Sequence, residues 1–464
     1  MKNMRRKNIN EAMDGIYLFR LVFLIPSRVA ANHWLLSPAL HLSIIWRDYG
    51  VNIVLRASMG NRLALWIGDA NVTSNSQFAC RERGLDMSVE KRFHSLDSFR
   101  GLFAVSVVLY HLRVSDSFTE WLFFRHAEVF VAFFFVLSGF VLTHAYGNKL
   151  QFDFRKFFIS RTFRLVPLHL FMLAAFILLE CGRYVALQKG MTFNNAPFSE
   201  KFAPAEILPN ALLLQSWTHF SNPLSFNYPS WSISIEYYTY MVFALILSVA
   251  VGFRQWVWAT VVLVTLMLMY TGNTFFTLES LRGLAYFFTG CLAYTLYLKI
   301  SQPGQAMFWL LTVLEVAAVA AALLFVVNDF AAKALVASPL FGVIILIFAF
   351  DGGAVSRLLA GQFFGFLGKL SYSIYLTHAA ILFCVVSVFM VGKKILGVDI
   401  APMIDGTRYL DTGNALFNNL VALLVVGLVI LVSMFTYRYV EMTGQAFGRA
   451  LANKPADKRP VLES

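Results

Sequence analysis

The chain has 464 residues, of which 58% are hydrophobic, 16% aromatic and only 14% charged, with a mean hydropathy of +0.64. A soluble domain averages about 25% charged residues, so these values exclude an ordinary soluble globule and define a polytopic, all-α membrane protein. The net charge of +12 would suit nucleic acid, but the basic residues cluster in short loops between apolar runs. That is the pattern of membrane orientation and of contact with anionic head groups, and no nucleic-acid partner is expected.

Residues 1–86 hold eleven Lys or Arg against six acids. Their apolar runs are broken by Pro26, Arg28, Arg47, Arg56 and Arg62. The 16–25 run is too short to span a bilayer. Arg5, Arg6 and Lys7 precede it as in a signal sequence, but Arg20 interrupts it and no small-residue cleavage site follows cleanly. The segment reads as an irregular basic extension. Met87 stands directly before the regular pattern, which makes it an alternative start; peptides from 1–80 in the native protein would rule that out.

Windows of about 20 mostly apolar residues place spans near 98–114, 124–145, 164–187, 231–251, 255–271, 281–298, 307–327, 334–350, 371–391 and 415–436. About ten spans leave both ends of a core over 87–445 on one side. Lys91, Arg92, Arg100, Lys149, Arg155, Lys156, Arg161 and Arg164 flank one face, as does a basic tail over 446–464 with Arg449, Lys454, Lys458 and Arg459. The positive-inside rule makes that face cytoplasmic, although Lys393, Lys394 and Arg408 fall in a loop that is then external. The 188–230 loop, with Pro197, Pro204, Pro209, Pro223 and Pro229, is the longest external segment. No internal repeat is visible. Cys80, Cys181, Cys291 and Cys384 have no metal-ligand spacing and are expected to be buried thiols.

Five motifs punctuate the core. In the first span, Arg100 and His111 are separated by eleven residues at about 100° each, so they share a helical face about 16 Å apart along the axis. His111 then sits about halfway into hydrocarbon, where ionisable groups are costly and mark function. The second span contains Phe133-Phe134-Phe135-Val136-Leu137-Ser138-Gly139-Phe140, whose Ser138-Gly139 step lets a neighbouring helix approach closely. Arg161 and Arg164 open the third span on one face, shortly before Pro167. Tyr228-Pro229-Ser230-Trp231-Ser232 leads to Glu236 in the fourth, with Pro229 suited to a first helical turn. In the ninth, Ser371, Tyr375 and His378 share a face by i, i+4, i+7 spacing.

Taken in this order, and closed by Tyr437-Arg438-Tyr439-Val440-Glu441, these motifs resemble the integral-membrane acyltransferase 3 family over about residues 93–445. Tyr237-Tyr238 after Glu236, and Met442 after Glu441, depart from the family pattern. The resemblance implies acetyl-CoA, or another acyl-CoA, as a cytoplasmic donor and a hydroxyl of a surface or exported glycan as acceptor.

The chemistry of acyl transfer suits these residues. It needs a base for the hydroxyl proton, positive charge for the nucleotide phosphates, and exclusion of water. Imidazole titrates near neutrality, so His111 either deprotonates the acceptor or carries the acyl group briefly. Arg100, Arg161 and Arg164 suit the phosphates of CoA, because guanidinium forks bind phosphate bidentately. Glu236 and His378 are further site candidates, with roles from orienting a histidine to contacting the acceptor. No metal is expected. Structural readings stand beside these: the arginines as topology anchors, His111 and His378 as interhelical hydrogen-bonding groups, Glu236 as a solvated carboxylate, and Tyr228 and Trp231 as interfacial belt residues. A secondary transporter, or a non-catalytic partner in polysaccharide export, is the alternative function class. The expected site of action is the cytoplasmic (inner) membrane.

Overall fold

A computed structural model describes the strands 39–46, 51–58 and 64–67, and residues 91–454 apart from 148, 150, 191–194, 301–306 and 398. The chain divides into two compact units, Met1–Val89 and Glu90–Ser464.

The first unit contains an antiparallel sheet in the order β1 (Ala39–Trp46), β2 (Val51–Ser58) and β3 (Ala64–Ile67). Ile44 pairs with Ile53 and Leu55 with Leu65. These short runs are rich in the aliphatic residues that favour pleated backbone. The rest of the extension over 1–86, with Cys80 and the alternative start at Met87, lies outside the described residues, as does the tail beyond 454.

The second unit is a helical bundle, and its main helices coincide with the apolar runs. They are α1 (His94–His111), α2 (Phe130–Tyr146), α3 (Phe154–Gln188), α4 (Ser230–Val249), α5 (Arg254–Tyr270), α6 (Leu278–Lys299), α7 (Phe308–Val327), α8 (Lys333–Phe348), α9 (Gln362–Leu396) and α10 (Ala415–Thr436). A π-helical turn, Tyr437–Glu441, leads into α11 (Met442–Ala452). Six segments, those built on α2, α3, α4, α7, α9 and α10, are long and apolar enough to cross a bilayer. Helices α5 and α8 are apolar but shorter, and α1 and α6 carry more polar side chains. The multi-pass all-α class therefore holds, while a count of ten spans exceeds what length and composition support.

Two glycine contacts set the packing near the centre. A Cβ on Gly139 would overlap the carbonyl of Phe287, and one on Gly290 would overlap the carbonyl of Val136. Helices α2 and α6 thus touch backbone to backbone, as the Ser138-Gly139 step predicts. Gly101 likewise abuts the backbone of Leu367 and Gly368, and Gly368 abuts the carbonyl of Asp97. This second contact pins α1 against α9, and because both helices leave it in the same direction they run parallel. Ten residues beyond each glycine, about 15 Å along the axis, stand His111 and His378.

Several buried polar groups are purely structural. Glu315, on the apolar helix α7, is fully buried and accepts from the backbone N–H groups of Gly353 (2.9 Å) and Ser356 (3.0 Å) and from the Ser356 hydroxyl (2.6 Å). It satisfies the exposed donors that begin the short helix Ala354–Leu359. Among the cysteines, Cys291 is buried, but Cys181 and Cys384 face outward. The expected buried thiols are thus corrected at two positions, since an apolar helix in a bilayer presents one side to lipid rather than to protein.

Candidate active site

The helix pair α1–α9 builds two chemically distinct regions. At the histidine end, the His111 and His378 rings stack with centroids 5.3 Å apart and planes 22° from parallel. Tyr228, two residues before α4, closes over both, with ring centroids 4.6 Å from His111 and 5.9 Å from His378. Tyr375 borders His378 at 6.0 Å and its hydroxyl is engaged by the Ser232 hydroxyl at 2.8 Å. His378 is fully buried, and its ring nitrogens approach only the backbone carbonyls of Ile374 and Tyr375, one turn back on its own helix, without a well-formed hydrogen bond at either nitrogen among the described residues. A buried imidazole without well-formed hydrogen bonds is expensive, so this pair is a place where the fold gives up stability.

At the arginine end the polar groups are networked. Glu236 accepts from Ser138 (2.9 Å) and from the Tyr240 hydroxyl. Its charge acts on both Arg100 and Arg164. Glu441, on the π-helical turn, accepts from Ser373 at 2.9 Å and from Gln445 at 3.2 Å, and it too acts on Arg164. Local π-helical turns recur at functional sites; here the extra backbone residue turns a buried carboxylate toward α9 and α3.

Three cavities follow one another along α1. The first, of 320 Å³, is lined by Lys91, Asp97, Arg100 and His144. The second is a constriction of only 60 Å³ between Arg100, Ser138, Glu236, Ser371 and Tyr375. The third, of 810 Å³, holds His111, Tyr110, Tyr228, Trp231 and Tyr286 together with charged groups that include Lys201, Glu279 and Arg282. Arg100 lines both the first and the second. Val131, Phe135 and Tyr375 line both the second and the third. The two residues of the first-span motif therefore stand in successive chambers.

The structure thus brings His111 and His378 together from opposite parts of the sequence, and Arg100, Arg164 and Glu236 into one charged group. Arg161 stands at the edge of this group: its guanidinium donates to the Tyr146 hydroxyl at 3.2 Å and lies near the rings of Tyr146 and Phe157, while its charge still acts on Tyr240 beside Glu236. The described hydrogen bonds of Glu236 reach neither histidine. Sequence reasoning placed Tyr228 in an interfacial belt and left Glu441 without a role. An aromatic beside Pro at a helix start carries the same signal in a belt and in a site; only the tertiary contacts separate them.

A helical bundle of several apolar spans, built around buried histidines, arginines and carboxylates, defines a multi-pass membrane protein with a polar interior. The acyltransferase domain that characterises the acyltransferase 3 family matches residues 93–438, so the chain belongs to that family. Among curated proteins it is similar to "Putative peptidoglycan O-acetyltransferase YrhL" of Bacillus subtilis (strain 168), with 27% identity over 170 residues, 33% of this chain and 23% of that protein. The chain thus matches less than a quarter of the length of that relative. No solved structure matches it.

Proposed function

We propose that this acyltransferase takes a short acyl group, acetyl in the simplest case, from acyl-CoA and delivers it to a hydroxyl of an exported or cell-surface glycan. The observation that carries the reading is the run of three cavities along α1, joined by shared lining residues, with Arg100 at one end and His111 at the other. Arg100 and Arg164, with Arg161 behind them, bind the phosphates of CoA, which guanidinium groups match in charge and geometry. The pantetheine arm then runs along α1 through the constriction, which opens to admit it, and presents the thioester at His111. The wide aromatic and charged chamber receives the sugar, since aromatic faces and charged hydrogen-bonding groups are the usual partners of saccharide rings and hydroxyls.

His111 accepts the proton of the attacking hydroxyl. His378 stacks on His111 and fixes its orientation. The positive-inside rule places the arginine end, and both ends of the core, in the cytoplasm, in the inner membrane of a bacterium. The donor is thus met on the side where acyl-CoA is made.

The test is transfer of labelled acetyl from acetyl-CoA to membrane and surface glycans in cells carrying the intact protein or His111→Ala at matched expression. Label with the former and none with the latter is expected. Equal label in both would remove His111 from the chemistry, and label in neither would overturn the donor assignment. Labelled acyl groups trapped on the imidazole of His111 would show that His111 relays the acyl group rather than acting as a base.

A further inference from the structure

Acyl transfer has one requirement that the proposed function leaves unassigned. As the acceptor oxygen attacks the thioester, the carbonyl electrons move onto oxygen, and that oxyanion needs a pre-placed hydrogen-bond donor. Around His111 the described residues offer few. The Tyr375 hydroxyl is already engaged with Ser232 at 2.8 Å. Arg125 donates through Nη2 to the carbonyls of Leu109 and Leu112 and pairs through Nη1 with Glu120 at 3.7 Å. Tyr110 touches His111 through its ring, 4.7 Å between centroids, but no contact joins it to His378 among the described residues.

Tyr228 differs from all three. Its ring contacts both imidazoles, it lines the large cavity, and its hydroxyl makes no hydrogen bond among the described residues. Its backbone is held in place from both sides. Asn227 donates through its side chain to the carbonyl of Leu376, at 3.0 Å, on the same helix as His378. The Ser230 N–H closes a turn onto the Asn227 carbonyl at 2.8 Å. Tyr228 is therefore anchored through its neighbours, its hydroxyl makes no hydrogen bond among the described residues, and its side chain lines the cavity that contains His111. We propose that Tyr228 is a catalytic residue whose hydroxyl donates the hydrogen bond that stabilises the oxyanion. The inference rests on the transfer reading above.

The His111 imidazole takes the proton of the acceptor hydroxyl, the carbon–oxygen bond forms, and the carbonyl pair moves to oxygen, where the Tyr228 hydroxyl donates to it without losing its proton. Collapse restores the carbonyl, breaks the carbon–sulfur bond, and returns the proton from His111 to the departing CoA thiolate. Burial supports this role, because it pushes the Tyr228 hydroxyl above its ordinary range and keeps it a donor throughout the physiological pH range.

The experiment compares the intact protein with Tyr228→Phe, Tyr228→Ala and His111→Ala in steady-state transfer from acetyl-CoA. Tyr228→Phe keeps the ring and removes only the hydroxyl. It is expected to lower kcat by about 10²- to 10³-fold, with KM for donor and acceptor within about twofold. A Tyr228→Phe enzyme within about threefold of the intact kcat overturns the inference, even if Tyr228→Ala is inactive, since the ring would then serve only to pack the imidazoles. Should Tyr228→Phe fail to fold, 3-fluorotyrosine at the same position decides. A kcat that shifts with the acidity of the hydroxyl supports the role, and an unchanged kcat refutes it. Full activity in His111→Ala would instead remove His111 from the chemistry, and this inference with it, whereas no transfer by the intact protein would defeat the transfer reading.

Discussion

Glu315 and His378 are both fully buried ionisable residues within long apolar helices, and they have opposite surroundings. Glu315 receives three hydrogen bonds from the backbone and side chain of residues 353–356. His378 makes no well-formed hydrogen bond at either ring nitrogen among the described residues, and it stacks against a second imidazole that lines the 810 Å³ cavity. A polar residue in an apolar span is therefore not by itself a sign of function. Glu315 is a helix cap that happens to lie at membrane depth. What separates the two is whether the fold completes the hydrogen bonds of the group or leaves them for something else to complete.

That contrast can be broken by experiment, beginning where the largest effect is expected. Glu315→Ala leaves buried donors without an acceptor and should cost about 3 kcal/mol or more, read as a lower thermal midpoint. Transfer per folded molecule should be unchanged; loss of activity at unaltered stability would reverse the assignment. Gly368→Ala forces a methyl onto the Asp97 carbonyl and should cost about 1–3 kcal/mol. It should also reduce transfer, because it separates the helices that bring His111 to His378. Gly139→Ala, at the α2–α6 contact, should match that stability loss with a smaller loss of activity per folded molecule. His378→Phe replaces an unsatisfied ring by an apolar one. It should leave stability unchanged or raise it by up to about 1 kcal/mol while transfer falls; a fall in stability with normal transfer would make His378 a packing residue like the others.

Much of the bundle was legible in the sequence because a bilayer demands a minimum apolar length and punishes charge. Helices α2, α4, α7 and α10 coincide closely with the runs that predicted them. The Arg100–His111 spacing was equally legible, being a property of one helix. The site as a whole was less so. Nothing in the order of residues says that α1 lies parallel to α9, more than 260 positions away, or that Gly101 and Gly368 are the contact that sets their register. His378 was visible as a candidate but its partner was not. The place of Tyr228 was not legible, because the membrane interface and an interior cavity select the same aromatic side chain. Arg161 shows the converse: three residues from Arg164 on one helix, it is drawn to Tyr146 instead.

The central claim is that the arginine end holds the donor and the histidine end performs the transfer. Its most direct test is the binding of acetyl-CoA and the single-turnover rate of transfer, measured on the same purified His111→Gln protein in lipid nanodiscs. The account predicts donor affinity within about twofold of the intact protein and a transfer rate lower by about 10²- to 10⁴-fold. A transfer rate that survives the substitution, or a donor affinity that collapses with it, would contradict the division of the site into two ends.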